Sequence, residues 1–139
     1  MKKITLLLLV FFAVGIMAAC KKDDSSTNSP PQVVIRVTYP NGGEILNRNS
    51  FEYVRILWDS QNVPERGEDG RFTKMYAYLV KGGQEYILLS DNLLNIGIFD
   101  WDIRGDAARI QPGSDYKLRI KHSTNAEWFD DSDGTITIQ

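Results

Sequence analysis

From Val33 onward, apolar and polar residues alternate with a period of two, the signature of strands with one buried face. Val33–Tyr39 is rich in β-branched residues and stops at Pro40-Asn41-Gly42-Gly43, a strong turn signal. Tyr53–Trp58 places Val54, Ile56 and Trp58 on one side, and Met75–Val80 does the same with Met75, Ala77 and Leu79. Gly82-Gly83 turns the chain into Glu85–Leu89. Phe99, Trp101 and Ile103 alternate within Ile98–Ile103, Tyr116, Leu118 and Ile120 in the next run, and Ile136 and Ile138 in the last. No stretch of this region repeats with a helical period. About seven short strands separated by turns predict an all-β sandwich over residues 33–139, with Gln61–Thr73 as its one long polar loop.

Two aromatic features sharpen this expectation. Trp58 and Trp101 each end an inward-facing set, where large rings fill the space between two sheets. Pro112-Gly113-Ser114-Asp115-Tyr116 opens a strand with a tyrosine. That arrangement resembles the tyrosine corner, in which the hydroxyl bonds back to upstream backbone. The expected fold class is therefore an immunoglobulin/fibronectin type III-like β-sandwich.

Ahead of the sandwich the pattern changes. Met1-Lys2-Lys3 is basic, Ile4–Met17 is almost wholly apolar, and Ala18-Ala19 precede Cys20. Charged, apolar and small residues in that order lay out a cleavable secretory signal. The apolar run is too short to cross a ~30 Å hydrocarbon core at ~1.5 Å per residue. Cys20 after the small pair resembles the lipobox of bacterial lipoproteins, with Met17 where Leu is usual. The resemblance implies cleavage after residue 19 and acylation of Cys20, so the membrane becomes a partner through that lipid. Several acyl chains hold where one does not, at ~0.8 kcal/mol per buried methylene. Lys21–Gln32 (KKDDSSTNSPPQ) has no apolar residue, and residues 20–32 read as a lipidated cysteine and disordered tether. Lys21-Lys22-Asp23-Asp24 is either a charged linker or a sequence similar to lipoprotein surface-export signals. The expected location is the outer membrane, facing the periplasm or the cell exterior.

A run of motifs in the sandwich carries a further likeness. Tyr39-Pro40-Asn41-Gly42-Gly43-Glu44, Ile56-Leu57-Trp58, Tyr78–Gly83, Phe99–Ile103, Tyr116–Ile120 and Asp131–Ile138 occur in order. Together they resemble the Ser-Thr-rich GPI-anchored membrane family, the N-terminal domain of yeast cell-wall β-1,6-glucan synthesis proteins. The resemblance spans Val37–Ile138 and implies a fold. It brings no catalytic residue.

Composition and chemistry narrow the function. With a single cysteine there is no internal disulfide, so the domain must stand on its core. Without Lys2 and Lys3 the chain carries 14 basic and 18 acidic residues, unlike a nucleic-acid binder. His122 is the only histidine and an unpromising base. Asp100 with Asp102, and Asp130 with Asp131, are the carboxylate pairs a glycan hydrolase would need. The first pair flanks Trp101 and reads as a solvated face. Asp130-Asp131-Ser132-Asp133-Gly134 fails as an EF-hand loop, because Phe129 occupies the first ligand position and the chain ends before the closing Glu. No catalytic residue, metal ligand or cofactor site is expected.

Binding is the better prospect. Tyr76 and Tyr78 point out of one strand, and Lys117, Arg119 and Lys121 out of the strand expected beside it. Tyrosine rings stack on sugars, and cations pair with acidic groups. The competing reading is cross-strand pairing that only stabilises the sheet. Trp128-Phe129 is a second candidate, either an exposed interaction site or a cap over the sandwich end. The expectation is a non-catalytic, lipid-anchored envelope module that binds polysaccharide or a surface protein. The alternatives are a scaffold subunit of an envelope assembly or, less favoured, a small glycan hydrolase.

Overall fold

Residues 31–139 are described by a computed structural model, and the leader, Cys20 and the spacer up to Pro30 lie outside the described residues. The alternation resolves into β1 (Val34–Tyr39), β2 (Ile45–Leu46), β3 (Val54–Gln61), β4 (Lys74–Lys81), β5 (Gln84–Leu94), β6 (Ile98–Trp101), β7 (Gly113–His122), β8 (Phe129–Asp131) and β9 (Ile136–Ile138). One sheet has the order β1-β3-β6 and the other β2-β9-β7-β4-β5, with β8 also paired to β7. Each expected strand is present. The additions, β2 and β8, are two and three residues long. This is a β-sandwich of the immunoglobulin/fibronectin type III-like kind.

The inward residues are those the period picks out. Ile56, Met75, Ala77, Leu79, Leu118, Ile120 and Ile136 are fully buried, and Trp58 and Trp101 lie between the sheets. Both indoles satisfy their N–H: Trp58 Nε1 donates to Asn95 Oδ1 at 3.0 Å and Trp101 Nε1 to Asp106 Oδ2 at 2.9 Å. A buried ring then gains its apolar burial without stranding a donor. The Tyr116 hydroxyl donates to the Gln111 carbonyl at 2.6 Å, the tyrosine corner expected from the sequence.

The strand after β7 is broken in two. β8 pairs with Arg119–Lys121 and β9 with Gly113 and Tyr116, on the same side of β7. Buried Ser132 bridges the break: its N–H donates to the Leu118 carbonyl at 2.8 Å, and its Oγ accepts the Leu118 N–H at 3.2 Å. The bulge this creates pushes Asp133-Gly134 against the first turn. There Asn41 Oδ1 accepts the Asp133 N–H at 2.8 Å, Asn41 Nδ2 donates to Asp133 Oδ2 at 2.8 Å, and the Asn41 carbonyl accepts the Gly134 N–H at 2.9 Å. Glu44 folds back to accept the N–H groups of Asn41 at 2.9 Å and Gly42 at 2.8 Å. Partial burial works against the Glu44 charge, but these donors and its own N–H outweigh it and hold its pKa below the ordinary value. Gly42 has a φ of 134°, and a Cβ there would sit 2.5 Å from the Gly134 Cα. The Pro-Asn-Gly-Gly-Glu and Asp-Ser-Asp-Gly segments are two halves of one lock.

Candidate functional site

The outer face of the larger sheet assembles most of the sequence candidates. β4 and β7 are antiparallel neighbours, with Tyr76 opposite Lys121, Tyr78 opposite Arg119 and Val80 opposite Lys117. The Tyr76 and Tyr78 rings meet edge-on, 6.3 Å apart. The cations, however, already have partners. Arg119 donates to both oxygens of Asp131, Nε at 2.6 Å and Nη2 at 2.9 Å, and reaches Glu85 at 3.3 Å. Lys121 Nζ sits 2.7 Å from the same Glu85 oxygen, and Lys117 Nζ donates to the Asp133 carbonyl at 3.1 Å. The Phe129 ring covers the Arg119 guanidinium at 4.3 Å. Only 14 % of the Arg119 side chain and 22 % of Lys121 are exposed, so little of either charge is open to a ligand.

The electrostatics agree with that occupancy. The hydrogen bond to Asp131 raises the Arg119 pKa, and the hydrogen bond from Lys121 lowers that of Glu85. Burial, reinforced by Glu85, pushes the Tyr78 hydroxyl up. This is a ladder of satisfied cross-strand pairs. Tyr76 and Tyr78 remain half-buried within it.

Trp128 does not join this face. It is half-buried against the core, and its ring meets His122 edge-on at 4.9 Å. His122 is buried at the end of β7, and its Nδ1 accepts the N–H groups of Thr124 at 3.2 Å and Asn125 at 3.0 Å. That bonding requires an unprotonated Nδ1, and burial lowers the His122 pKa to match. Histidine and tryptophan together cap one end of the sandwich. The carboxylates are likewise engaged: Asp100 with Arg55 at 2.9 Å, Asp102 with the Gly105 N–H at 3.1 Å, and Asp130 with the Val37 N–H at 2.8 Å. No cluster of three or more His, Cys, Asp or Glu with metal-ligand geometry occurs among the described residues.

A second feature lies at the far end of the domain. The chain enters at Gln32, whose carbonyl accepts the Asn62 side-chain N–H at 2.8 Å, and Val34 pairs with Gln61. The opposite end carries the β1–β3 connection. Between Tyr39 and Val54 runs Pro-Asn-Gly-Gly-Glu-Ile-Leu-Asn-Arg-Asn-Ser-Phe-Glu-Tyr, a loop pinned by the lock at its start and by β2 alongside β9. Its large side chains are turned out: Phe51 is 85 % exposed, Tyr53 and Ile45 66 %, and Tyr39 41 %. Tyr39, Ile45 and Tyr53 line an open groove of about 420 Å³, with Asn47, Ser50, Glu52 and Arg55 supplying donors and acceptors around it. The Arg104 guanidinium stacks on the Phe51 ring at 4.3 Å. Tyrosine, serine, glycine and asparagine on loops held by a rigid sandwich is the make-up of a recognition surface.

The period-two pattern does not mark this groove. Tyr39 and Tyr53 were visible only as the ends of two strands, and nothing in the local pattern says that those ends meet. The usable signal was compositional, three aromatics and three asparagines within a short turn-rich stretch.

Fold and surface together define a two-sheet sandwich whose loops carry a groove at the end away from the N-terminal chain. No protein-family model, curated protein or solved structure matches the chain.

Proposed function

We propose that this protein is a non-catalytic, lipid-anchored binding module of the cell envelope, held by Cys20 and presenting the Tyr39–Tyr53 groove to an envelope or cell-surface polysaccharide. One observation carries the reading: the groove with exposed tyrosines lies at the end of the sandwich opposite the end where the chain arrives from Cys20. A domain tethered at one end displays the other. Tyrosine rings offer flat apolar faces to the C–H side of a sugar, and the Asn47, Ser50, Glu52 and Arg55 side chains meet its hydroxyls. The groove volume falls within the ordinary range for ligand sites.

A second reading keeps the Tyr76–Tyr78 face as the sugar platform, supported by two neighbouring rings, packed edge-on, on the outer sheet face. It must work without free cations, because Glu85 and Asp131 hold Arg119 and Lys121. A scaffold role in an envelope assembly would use the same groove for protein contact.

Screening the purified protein against a glycan array tests the proposal. Binding that Tyr39→Ala with Tyr53→Ala abolishes, and Tyr76→Ala with Tyr78→Ala does not, is the expected result. The reverse pattern favours the second reading. Silence on the array, with envelope proteins co-purifying through the groove, favours the scaffold.

A further inference from the structure

Among the described residues, the six large hydrophobic side chains that are at least half exposed lie at the two ends of the sandwich, not on its faces. Ile45, Phe51 and Tyr53 are at the groove end, and Phe72, Leu94 and Ile96 at the other. The two groups differ in kind. The second contains no tyrosine: Phe72 is 57 % exposed, Leu94 50 % and Ile96 69 %. These three share one shallow concavity of about 250 Å³. Its polar lining is Asn95, whose Oδ1 accepts from the Trp58 indole at 3.0 Å and the Ser60 hydroxyl at 3.1 Å, together with buried Thr73 and exposed Glu65. The Arg66 guanidinium lies over the Phe72 ring at 4.0 Å. Three apolar tips with Glu65 and Arg66 as a charged rim suit the boundary between hydrocarbon and headgroups better than a polar ligand.

The position of this patch says which apolar phase is at hand. Lys74 pairs with Leu94, and the Trp58 N–H donates to the Gly97 carbonyl at 3.1 Å, which places the Leu94–Ile98 turn level with the last residues of β3. Asn62, directly after β3, is the residue that holds Gln32. The patch and the entering chain therefore share one end. Cys20 is twelve residues before Gln32, a covalent reach of at most ~40 Å.

We infer that Phe72, Leu94 and Ile96 form a membrane-docking surface that seats the tethered end of the domain on the lipid bilayer into which Cys20 is anchored. This rests on the acylation of Cys20. A tether this short keeps the patch at a high effective concentration at the bilayer, so weak burial suffices to seat it. The apolar tips enter the headgroup–acyl boundary, and Arg66 meets lipid phosphate. Seating fixes the orientation, with the groove pointing away from the membrane.

Ile96 and Ile45 make a matched pair for the test, at 69 % and 66 % exposure on opposite ends. Acylation consumes the Cys20 thiol, so Ile96→Cys or Ile45→Cys introduces the one labelling site. Full-length acylated protein carrying a nitroxide at either position is reconstituted into phosphatidylethanolamine–phosphatidylglycerol vesicles. Collisions with oxygen and with a water-soluble nickel complex are then compared, and flotation is measured on the same samples. The expected result is that the label at position 96 gains oxygen collisions and loses nickel collisions, while the label at 45 stays aqueous. Flotation with an aqueous label at 96 overturns the docking inference alone. Failure to float overturns the anchor reading and the docking with it. A label at 96 that is immobilised without vesicles, as protein concentration rises, identifies a second copy as the occupant and also overturns it. If Ile96→Cys does not fold, Phe72→Cys reads the same surface.

Discussion

Gly42 and Gly43 are adjacent, both in the positive-φ region, and differ in one respect that makes them a test of the lock between the first turn and the last strand. Their φ angles are 134° and 89°. A Cβ on Gly43 meets nothing within 4 Å, whereas a Cβ on Gly42 falls 2.5 Å from the Gly134 Cα and 2.9 Å from its nitrogen. Gly43→Ala therefore brings backbone strain alone, about 1–2 kcal/mol. Gly42→Ala adds an overlap with backbone that cannot rotate away, of the same order as overpacking a core, for about 3–5 kcal/mol in all. The overlap must push Gly134 off Asn41 and break the three hydrogen bonds between Asn41 and Asp133-Gly134. Urea unfolding followed by tryptophan fluorescence reads the difference, since Trp58 and Trp101 are buried. A midpoint loss of roughly 1 M for Gly43→Ala and 2 M or more for Gly42→Ala is expected. Equal midpoints for the two variants would refute the lock.

Other consequences follow from single contacts. Tyr116→Phe removes the hydroxyl donor to the Gln111 carbonyl and should cost about 1 kcal/mol, a fall in Tm of about 5 °C by calorimetry; an unchanged Tm would show the corner to be idle. His122 is held neutral, its pKa below the usual 6.5, so its contribution is complete above that value and lost as pH falls through the lower folded-state pKa. The Tm advantage of the native chain over His122→Gln should shrink on acidification in that window, and a gap independent of pH would contradict the Nδ1 bonding. Glu44, with a pKa below 4.5, stabilises above that value and loses its contribution as pH falls through its folded-state pKa. The urea midpoints of the native chain and Glu44→Gln should accordingly converge at low pH; parallel curves would sink the idea.

How far the sequence spoke depends on which forces shaped each element. β4 and β7 were legible because Met75, Ala77 and Leu79, and Tyr116, Leu118 and Ile120, are buried by period alone. Their pairing followed from the sandwich arrangement, and with it the shared face of Tyr76, Tyr78, Lys117, Arg119 and Lys121. β2 and β8 were not legible. Ile45-Leu46 and Phe129-Asp130-Asp131 have no pattern of their own and are strands because β9 and β7 offer them ladders. β5 runs on to Leu94 through Ser90-Asp91-Asn92, poor strand formers of which Asp91 and Asn92 fall in an irregularity between the Ala77–Ser90 and Met75–Leu93 pairs. Glu85 pairs with Val80 along the strand yet its carboxylate reaches both Arg119 and Lys121, a contact no register count from sequence would give. The Asp-rich stretch before β9, suggestive of a metal loop, is a strand break bridged by Ser132. The groove was hidden for the same reason as the lock: Tyr39, Ile45 and Tyr53 come from separate turns that only the closed sandwich brings together.

The most direct measurement is the affinity of the protein for its best array ligand, titrated calorimetrically with and without the groove tyrosines. Each stacked ring contributes about 1 kcal/mol, so Tyr39→Ala with Tyr53→Ala should weaken binding about 30-fold. Tyr76→Ala with Tyr78→Ala should leave it unchanged. Full affinity in the groove variant, or a loss confined to the Tyr76–Tyr78 variant, would contradict the claim that the end away from the tether is the binding end.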